Sequence, residues 1–195
     1  TPSYGGGILI WESSPEIRNC IIQNNSAYLK GGGLCITGLS SAAKALNCTI
    51  QNNTAESYGG GLYMGDCGPD AEVIACTISQ NTNTWDGGSS GIINGSGGGV
   101  NLQHNGKLTN CLIINNNAPN FVAGAGGIQC DFGTWWGSQN IFITGCTIAN
   151  NTALGTGGVS QVFTGGELRN CIIWGNTDSY GNSSNYDGNF FVNCC

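Results

Sequence analysis

Apolar and polar positions alternate along this chain in short runs that recur at a nearly constant interval. The segments 48–50 and 76–78, both Cys-Thr-Ile, alternate inward and outward character with the two-residue period of a β-strand. No stretch sustains the three- and four-residue apolar spacing of a helix, and Gly and Asn are too dense for helices to overcome their propensity costs. The pattern therefore predicts an all-β chain of short strands.

One sequence motif occurs six times: a cysteine, followed by an isoleucine two residues after it and an asparagine five residues after it. Successive copies lie 28, 28, 35, 35 and 25 residues apart, with a glycine cluster and an aliphatic residue between them. Such spacing is typical of stacked repeats, in which each repeat buries its apolar face only against its neighbours. The cysteines are Cys20, Cys48, Cys76, Cys111, Cys146 and Cys171, and the asparagines are Asn25, Asn53, Asn81, Asn116, Asn151 and Asn176.

A repeat of this length, holding two or three short strands between turns, fits one coil of a parallel β-solenoid. Coils would lie about 4.8 Å apart, so equivalent residues of successive coils would stack directly above one another. The cysteines and isoleucines would then fill the core as columns, and the asparagines would form a ladder of side-chain amides at a turn. We predict a single domain over residues 1–195 with about six to seven coils.

The stretch 47–55 (Asn-Cys-Thr-Ile-Gln-Asn-Asn-Thr-Ala), followed by a Gly-Gly-Gly-Leu run at 59–62, resembles the right-handed parallel β-helix repeats of bacterial secreted and surface proteins. The segment 172–176 is similar to the last coils of large anchored surface proteins of this kind. The resemblance covers nearly the whole chain and implies a right-handed, single-stranded parallel β-helix. This solenoid carries adhesins, polysaccharide lyases, glycosidases and structural proteins alike, so the resemblance selects no activity.

Composition favours an extracellular or cell-surface setting. Only 8% of the residues are charged and the net charge is −6, which argues against nucleic acid as a partner. No apolar run approaches the roughly 20 residues needed to span a bilayer. Because Thr1 leads almost directly into the first glycine cluster, we expect a mature secreted product or a piece of a longer precursor.

Eleven cysteines point to secretion or to buried thiols. We interpret the column cysteines as small, buried, unreactive thiols. Cys35 and Cys67 lie outside that column in neighbouring coils, and we predict a disulfide between them. An odd total leaves at least one cysteine unpaired or paired between molecules, and Cys194 and Cys195 are the candidates for intermolecular bonds.

The residue pattern predicts no metal site, no cofactor site and no catalytic activity. Zinc sites need ligands that converge on one point, whereas these cysteines are a coil length apart and His104 is alone. Four aspartates are the remaining candidates for an isolated cation. The five Lys and Arg residues are scattered over the coils, and the paired aspartates expected of a glycosidase are absent. The aspartates are Asp66, Asp70, Asp86 and Asp131.

Exposed aromatic side chains keep a binding role open. Trp11, Trp85, Trp135 and Trp136 lie near turns or in longer loops, where flat rings stack on sugars or pack against a partner. The two longest repeats carry their extra length at 83–96 and 131–140, and insertions in solenoids usually gather on a binding face. The same rings would equally well cover the sides of the solenoid.

Neither end of the chain contains a recognisable polar cap. Open coils present unpaired strand edges, and head-to-tail stacking of identical open ends makes a filament. We therefore expect a non-catalytic structural protein that stacks on copies of itself into a surface filament or matrix. An adhesin or carbohydrate-binding module of a larger surface protein, with polysaccharide as partner, is the alternative. A polysaccharide-degrading enzyme is the third hypothesis.

Overall fold

The computed structural model describes residues 1–86, 96–120, 124–131, 141–161, 166–188 and 191–193. Within these ranges the chain forms 26 short strands and no helix, and all strands belong to four sheets in which every neighbouring pair is parallel. The strands follow one another from sheet 1 to sheet 4 and then return to sheet 1. The predicted parallel β-solenoid is confirmed, with about six coils.

Sheets 1 and 2 each contain seven strands, numbered here in chain order. Sheet 1 consists of β1 (Ile8–Trp11), β5 (Leu34–Gly38), β9 (Leu62–Cys67), β13 (Val100–Gln103), β17 (Ile128–Asp131), β21 (Val159–Gln161) and β25 (Tyr186–Asp187). Sheet 2 consists of β2 (Glu16–Arg18), β6 (Lys44–Leu46), β10 (Glu72–Ile74), β14 (Lys107–Thr109), β18 (Ile141–Thr144), β22 (Gly166–Arg169) and β26 (Phe191–Asn193).

Sheets 3 and 4 each contain six strands among the described residues. Sheet 3 consists of β3 (Ile21–Gln23), β7 (Thr49–Gln51), β11 (Thr77–Ser79), β15 (Leu112–Ile114), β19 (Thr147–Ala149) and β23 (Ile172–Trp174). Sheet 4 consists of β4 (Ser26–Ala27), β8 (Thr54–Ala55), β12 (Thr82–Asn83), β16 (Asn117–Ala118), β20 (Thr152–Ala153) and β24 (Thr177–Asp178).

The register places equivalent repeat positions opposite one another. Ile50 pairs with Ile22 on one side and with Ile78 on the other. Because neighbouring strands lie about 4.8 Å apart and side chains alternate between faces, each inward position becomes a continuous column. Ile50 and Ile78 are fully buried, and they belong to one elongated apolar core that runs the length of the solenoid.

Asparagine marks two of the turns because the backbone there is left-handed. The residue before the column cysteine has φ of 54° at Asn19 and 52° at Asn47, and the residue before the ladder asparagine has φ of 58° at Asn24 and 54° at Asn52. Asparagine tolerates this region better than other residues with a side chain. The same two turn positions hold Gly145 and Gly175 in later coils, where glycine meets the same requirement.

A different requirement fixes the glycine clusters. A Cβ on Gly60 would lie 2.3 Å from the carbonyl oxygen of Gly98 and 2.4 Å from that of Thr82. Both obstacles are backbone atoms, one in strand β12 and one in the turn that follows it, so neither can move aside cheaply. Close approach of backbones therefore requires glycine where the chain turns from sheet 4 into sheet 1.

Candidate functional site

The six asparagines form one hydrogen-bonded ladder along the turn between sheets 3 and 4. In the third coil, the Oδ1 of Asn81 accepts hydrogen bonds from the backbone N and the Nδ2 of Asn53, at 2.9 and 3.0 Å. The Nδ2 of Asn81 donates to the carbonyl oxygen of Ile50 at 2.9 Å and to the Oδ1 of Asn116 at 3.0 Å. Each of the four inner asparagines thus links three coils and satisfies backbone groups that the bend leaves free.

The ladder ends on a residue that the repeat pattern does not contain. The backbone N and the Nδ2 of Asn176 both donate to the Oδ1 of Asn185, each at 3.1 Å. Ser183 pairs antiparallel with Thr177, so the chain folds back over the edge of β24. The expectation that neither end carries a cap is therefore wrong at the sixth coil, where residues 178–185 cover the ladder and sheet 4.

The column cysteines lie along the turn between sheets 2 and 3, and none of them is in a disulfide. Five of them, Cys48 to Cys171, are at most 3% exposed, whereas Cys20 in the first coil is exposed. The backbone N of Cys48 donates to the sulfur of Cys76 at 3.3 Å. Burial raises the pKa of Cys76 to about 12, so this thiol stays protonated and unreactive at neutral pH.

The predicted disulfide between Cys35 and Cys67 is not formed, and both thiols are free. Cys35 lies opposite Tyr63 in the register of sheet 1, whereas Cys67 lies opposite Gly38. Cys67 packs in the main core, while Cys35 packs on the other side of the sheet with two tyrosines. The prediction failed because it used only the distance between coils: Cys67 lies further along its strand than Tyr63, the partner of Cys35, and the extra residue Asp66 turns Cys67 to the inner face. Cys194 and Cys195 lie outside the described residues.

The candidate aromatic contacts occupy different environments. Trp11 is 61% exposed at the end of β1, as a ligand contact requires. Trp85 is half-buried and its Nε1 is buried, so its ring covers the solenoid rather than projecting from it. Trp135 and Trp136 lie outside the described residues. Trp174 of β23 is 70% exposed and was missed as a contact, although its place in the repeat predicts an outward side chain.

A lysine and three tyrosines form a cluster on the outer face of sheet 1. The Nζ of Lys30 donates to the Oη of Tyr63 at 2.8 Å and lies 4.2 Å from the centre of that ring. The rings of Tyr4 and Tyr58 lie 5.9 and 5.7 Å from the same nitrogen. Burial lowers the pKa of Lys30 and raises that of Tyr63 well above its usual value. Cation–π attraction to the rings offsets part of the cost of burying the ammonium.

Sequence reasoning missed this cluster, although a signal for it was present. Tyr4, Lys30 and Tyr58 each stand immediately before a glycine cluster, and they pair directly from coil to coil. The phenol of Tyr63 continues the network by donating to the Oε1 of Gln103 at 2.8 Å.

A buried carboxylate lies farther along the same face. Asp131 is 2% exposed, and its oxygens accept hydrogen bonds from the Nδ2 of Asn101 at 2.6 Å and the Nε2 of Gln129 at 3.0 Å. Burial raises its pKa from 3.8 to about 7, and the amide donors, Gln103 included, only partly oppose that rise. The carboxyl group is therefore poised to exchange a proton near neutral pH.

A carboxylate and an imidazole meet where the strands of sheet 1 end. Asp66 is the extra residue of a β-bulge, with φ of 52°, between the pairs Thr37 with Gly65 and Gly38 with Cys67. Its Oδ1 lies 2.7 Å from the Nδ1 of His104, which has φ of 29°. Bulges commonly re-aim a side chain next to a functional site, and this carboxylate–imidazole contact is one that the sequence pattern did not reveal.

Among the described residues, no three His, Cys, Asp or Glu side chains come together in an arrangement that would hold a metal ion. The four candidate aspartates thus form no joint cation site there. The described part of the chain also lacks any helix of the length and apolar character that crossing a bilayer requires.

The stacked parallel coils, the four sheets and the internal asparagine ladder define the class of parallel β-solenoid proteins. A family model for the right-handed β-helix region matches residues 6–195, nearly the whole chain. The chain belongs to this right-handed β-helix family. No curated protein and no solved structure matches it. The family occurs in polysaccharide-degrading enzymes and in proteins without enzymatic activity, so membership establishes the fold and leaves the activity to be argued from the site.

Proposed function

We propose that this chain is an extracellular structural β-solenoid that associates end to end with copies of itself into a filament or matrix. The observation that carries the proposal is the complementarity between the two ends of the asparagine ladder. In the first coil, Asn25 donates both its backbone N and its Nδ2 to Asn53, and no hydrogen bond of the described residues ends on its own Oδ1. At the sixth coil, the backbone N and the Nδ2 of Asn176 both donate to one amide oxygen, and the Oδ1 of Asn25 is an acceptor of that kind.

Among the described residues, β1, β2, β3 and β4 are the terminal strands of the four sheets, so each has one edge without a described partner strand. Open edges of this kind pair readily with further strands. A contact between different ends of identical molecules is heterologous and does not close, so repeated association gives a fibre. The low charge content reduces repulsion between stacked copies.

Asn185 supplies within one chain the acceptor that Asn25 of a second copy would supply. Strands β25 and β26 likewise lie where the strands of a further coil pair with sheets 1 and 2. Association at this end therefore requires a second copy to displace the segment 178–185 together with β25 and β26. We expect assembly to be limited by that displacement and to accelerate when the segment is held less firmly.

The test follows assembly by sedimentation and negative-stain microscopy as the concentration is raised. Wild-type protein should form fibres above a threshold concentration, Asn185→Ala should lower the threshold, and Asn25→Ala should raise it. Circular dichroism establishes that both variants keep the β-fold. A chain that stays monomeric in both the wild-type and Asn185→Ala forms at high concentration would refute end-to-end association. Detection of the protein by antibody on intact cells tests the extracellular setting.

A binding module for polysaccharide, or an adhesin, is the second candidate. It is favoured by the outward strand positions of sheets 3 and 4, none of which carries a charged side chain among the described residues. Polysaccharide cleavage is a third candidate, favoured by two polar contacts at sheet 1, Lys30 with Tyr63 and Asp66 with His104. Release of reducing ends or unsaturated products from polysaccharides tests cleavage, and its absence over a broad panel would remove that candidate.

A further inference from the structure

Charged side chains are concentrated on the outer face of sheet 2. The twelve outward positions of β2, β6, β10, β14, β18 and β22 include seven charged residues, among them four of the five Lys and Arg residues of the chain. Along the first four coils one row alternates in sign from strand to strand. The seven are Glu16, Arg18, Lys44, Glu72, Lys107, Glu167 and Arg169.

The outer faces of sheets 3 and 4 carry no charged side chain at any of their eighteen outward strand positions, all of which are described. We call this surface the hydroxyl face. Twelve of its positions bear a hydroxyl or an amide, of which only Ser79 is buried, and the other six are apolar. The eighteen are Ile21, Gln23, Thr49, Gln51, Thr77, Ser79, Leu112, Ile114, Thr147, Ala149, Ile172 and Trp174 on sheet 3, and Ser26, Thr54, Thr82, Asn117, Thr152 and Thr177 on sheet 4.

The hydroxyl face is a regular array of hydrogen-bonding groups. Residues of one row repeat at the strand spacing, so six strands extend over roughly 24 Å. The turn between the two sheets adds more amides, including Asn52 and Asn150, at its left-handed position. At one end of the array the ring of Trp174 is 70% exposed, and at the other end the side chain of Ile21 is 68% exposed.

We infer that the hydroxyl face binds a neutral polysaccharide laid along the axis of the solenoid. A charged polymer would find no partner charge there, whereas sugar hydroxyls match the donors and acceptors of the threonine, glutamine and asparagine rows. The exposed ring of Trp174 offers a flat apolar surface for a sugar ring. A second copy of this chain fits less well, because stable protein interfaces have apolar or aromatic centres, and here the apolar residues are dispersed.

The inference rests on the binding alternative proposed above and is independent of end-to-end association. Its test measures depletion of the protein by microcrystalline cellulose and by chitin, with the anionic polymer alginate as comparison. Thr147→Lys puts a charge in the middle of the hydroxyl face. Thr144→Lys is the matched control, because it puts the same charge three residues away on sheet 2.

We expect wild-type protein to bind cellulose or chitin and not alginate, and Thr147→Lys and Trp174→Ala to weaken binding about tenfold or more, since a charge desolvated without a partner is costly. Thr144→Lys should bind as the wild type does. Absence of wild-type binding to both neutral polymers, equal weakening by the two lysine variants, or equal binding to alginate would overturn the inference. A wild-type oligomer that Thr147→Lys dissociates in light scattering would also overturn it, because the face would then be a self-interface.

A chain that remains monomeric and still binds cellulose or chitin through the hydroxyl face leaves this inference standing while end-to-end association fails. Conversely, fibres that bind neither polymer would support end-to-end association and overturn the inference of polysaccharide binding.

Discussion

Replacing Asn81 with alanine tests how much the asparagine ladder contributes to folding. The change removes the Oδ1 that accepts two hydrogen bonds from Asn53 and the Nδ2 that donates to Ile50 and Asn116. Only the backbone N of residue 81 keeps its bond to Asn116. Asn53 is fully buried, so its backbone N–H and one of its side-chain N–H groups lose their partners where no water reaches them.

The magnitude follows from those two stranded donors. Each buried, unpaired polar group costs about 1 to 3 kcal/mol, so Asn81→Ala should lower the free energy of unfolding by roughly 2 to 6 kcal/mol. Domains are commonly stable by only about 5 to 15 kcal/mol, so this is a large fraction of the total. Urea unfolding followed by circular dichroism measures the loss as a shift of the midpoint at constant slope.

Asn25→Ala provides the matched control in the first coil. The substitution removes only the hydrogen bond that the Nδ2 of Asn25 donates, and the Oδ1 of Asn53 still accepts a hydrogen bond from the backbone N of residue 25. No buried donor is stranded, so we expect a cost of about 1 kcal/mol. Equal destabilisation by the two substitutions, or a negligible effect of Asn81→Ala, would show that the ladder is not what satisfies these donors.

Three further predictions concern other features of the solenoid. Burial raises the pKa of Asp131 from 3.8 to about 7, so its protonated carboxyl contributes fully to stability below the unfolded pKa, and that stability is lost as the pH rises through 7. The free energy of unfolding should therefore fall by about 4 kcal/mol between about pH 4 and 8, and Asp131→Asn should abolish that fall. The same pH dependence in the variant and the wild type would contradict this. Of the described column thiols, exposed Cys20 should be alkylated in the native state while Cys76 reacts only after unfolding; equal rates by peptide mapping would contradict the burial argument. Gly60→Ala, blocked by backbone atoms, should greatly reduce the melting temperature, whereas Gly106→Ala meets only the Leu102 side chain at 3.1 Å and should be milder.

The repeat columns were accessible to sequence reasoning because their cause is local and periodic. Ile50 and Ile78 recur at the same repeat position, and stacking brings equal positions together without any knowledge of the loops. The same holds for Asn47 and Asn52, whose left-handed φ explains why asparagine recurs at these turns.

The candidate site was much harder to predict. Asp66 reaches His104 only because a bulge inserts one residue into β9, and the spacing of the repeats gives no indication of that insertion. Asn185 lies nine residues after Asn176, far from a repeat length, and it enters the ladder only because the chain reverses over β24. Cys35 and Cys67 were paired wrongly because their coils are adjacent but their side chains lie on opposite sides of sheet 1.

The sequence by itself determined the class of fold, the inward columns and the positions of the turns, since a periodic pattern of strands and glycines leaves only stacking as a way to bury its apolar face. Only the tertiary structure decided which side chains outside the repeated motif become neighbours. The bulge at Asp66 brings that carboxylate to His104, and Lys30 meets Tyr63 on sheet 1, whereas the charges of sheet 2 and the hydroxyls of sheets 3 and 4 stand at fixed distances from the repeated cysteine. Any function that this solenoid performs at its surface depends on those neighbours.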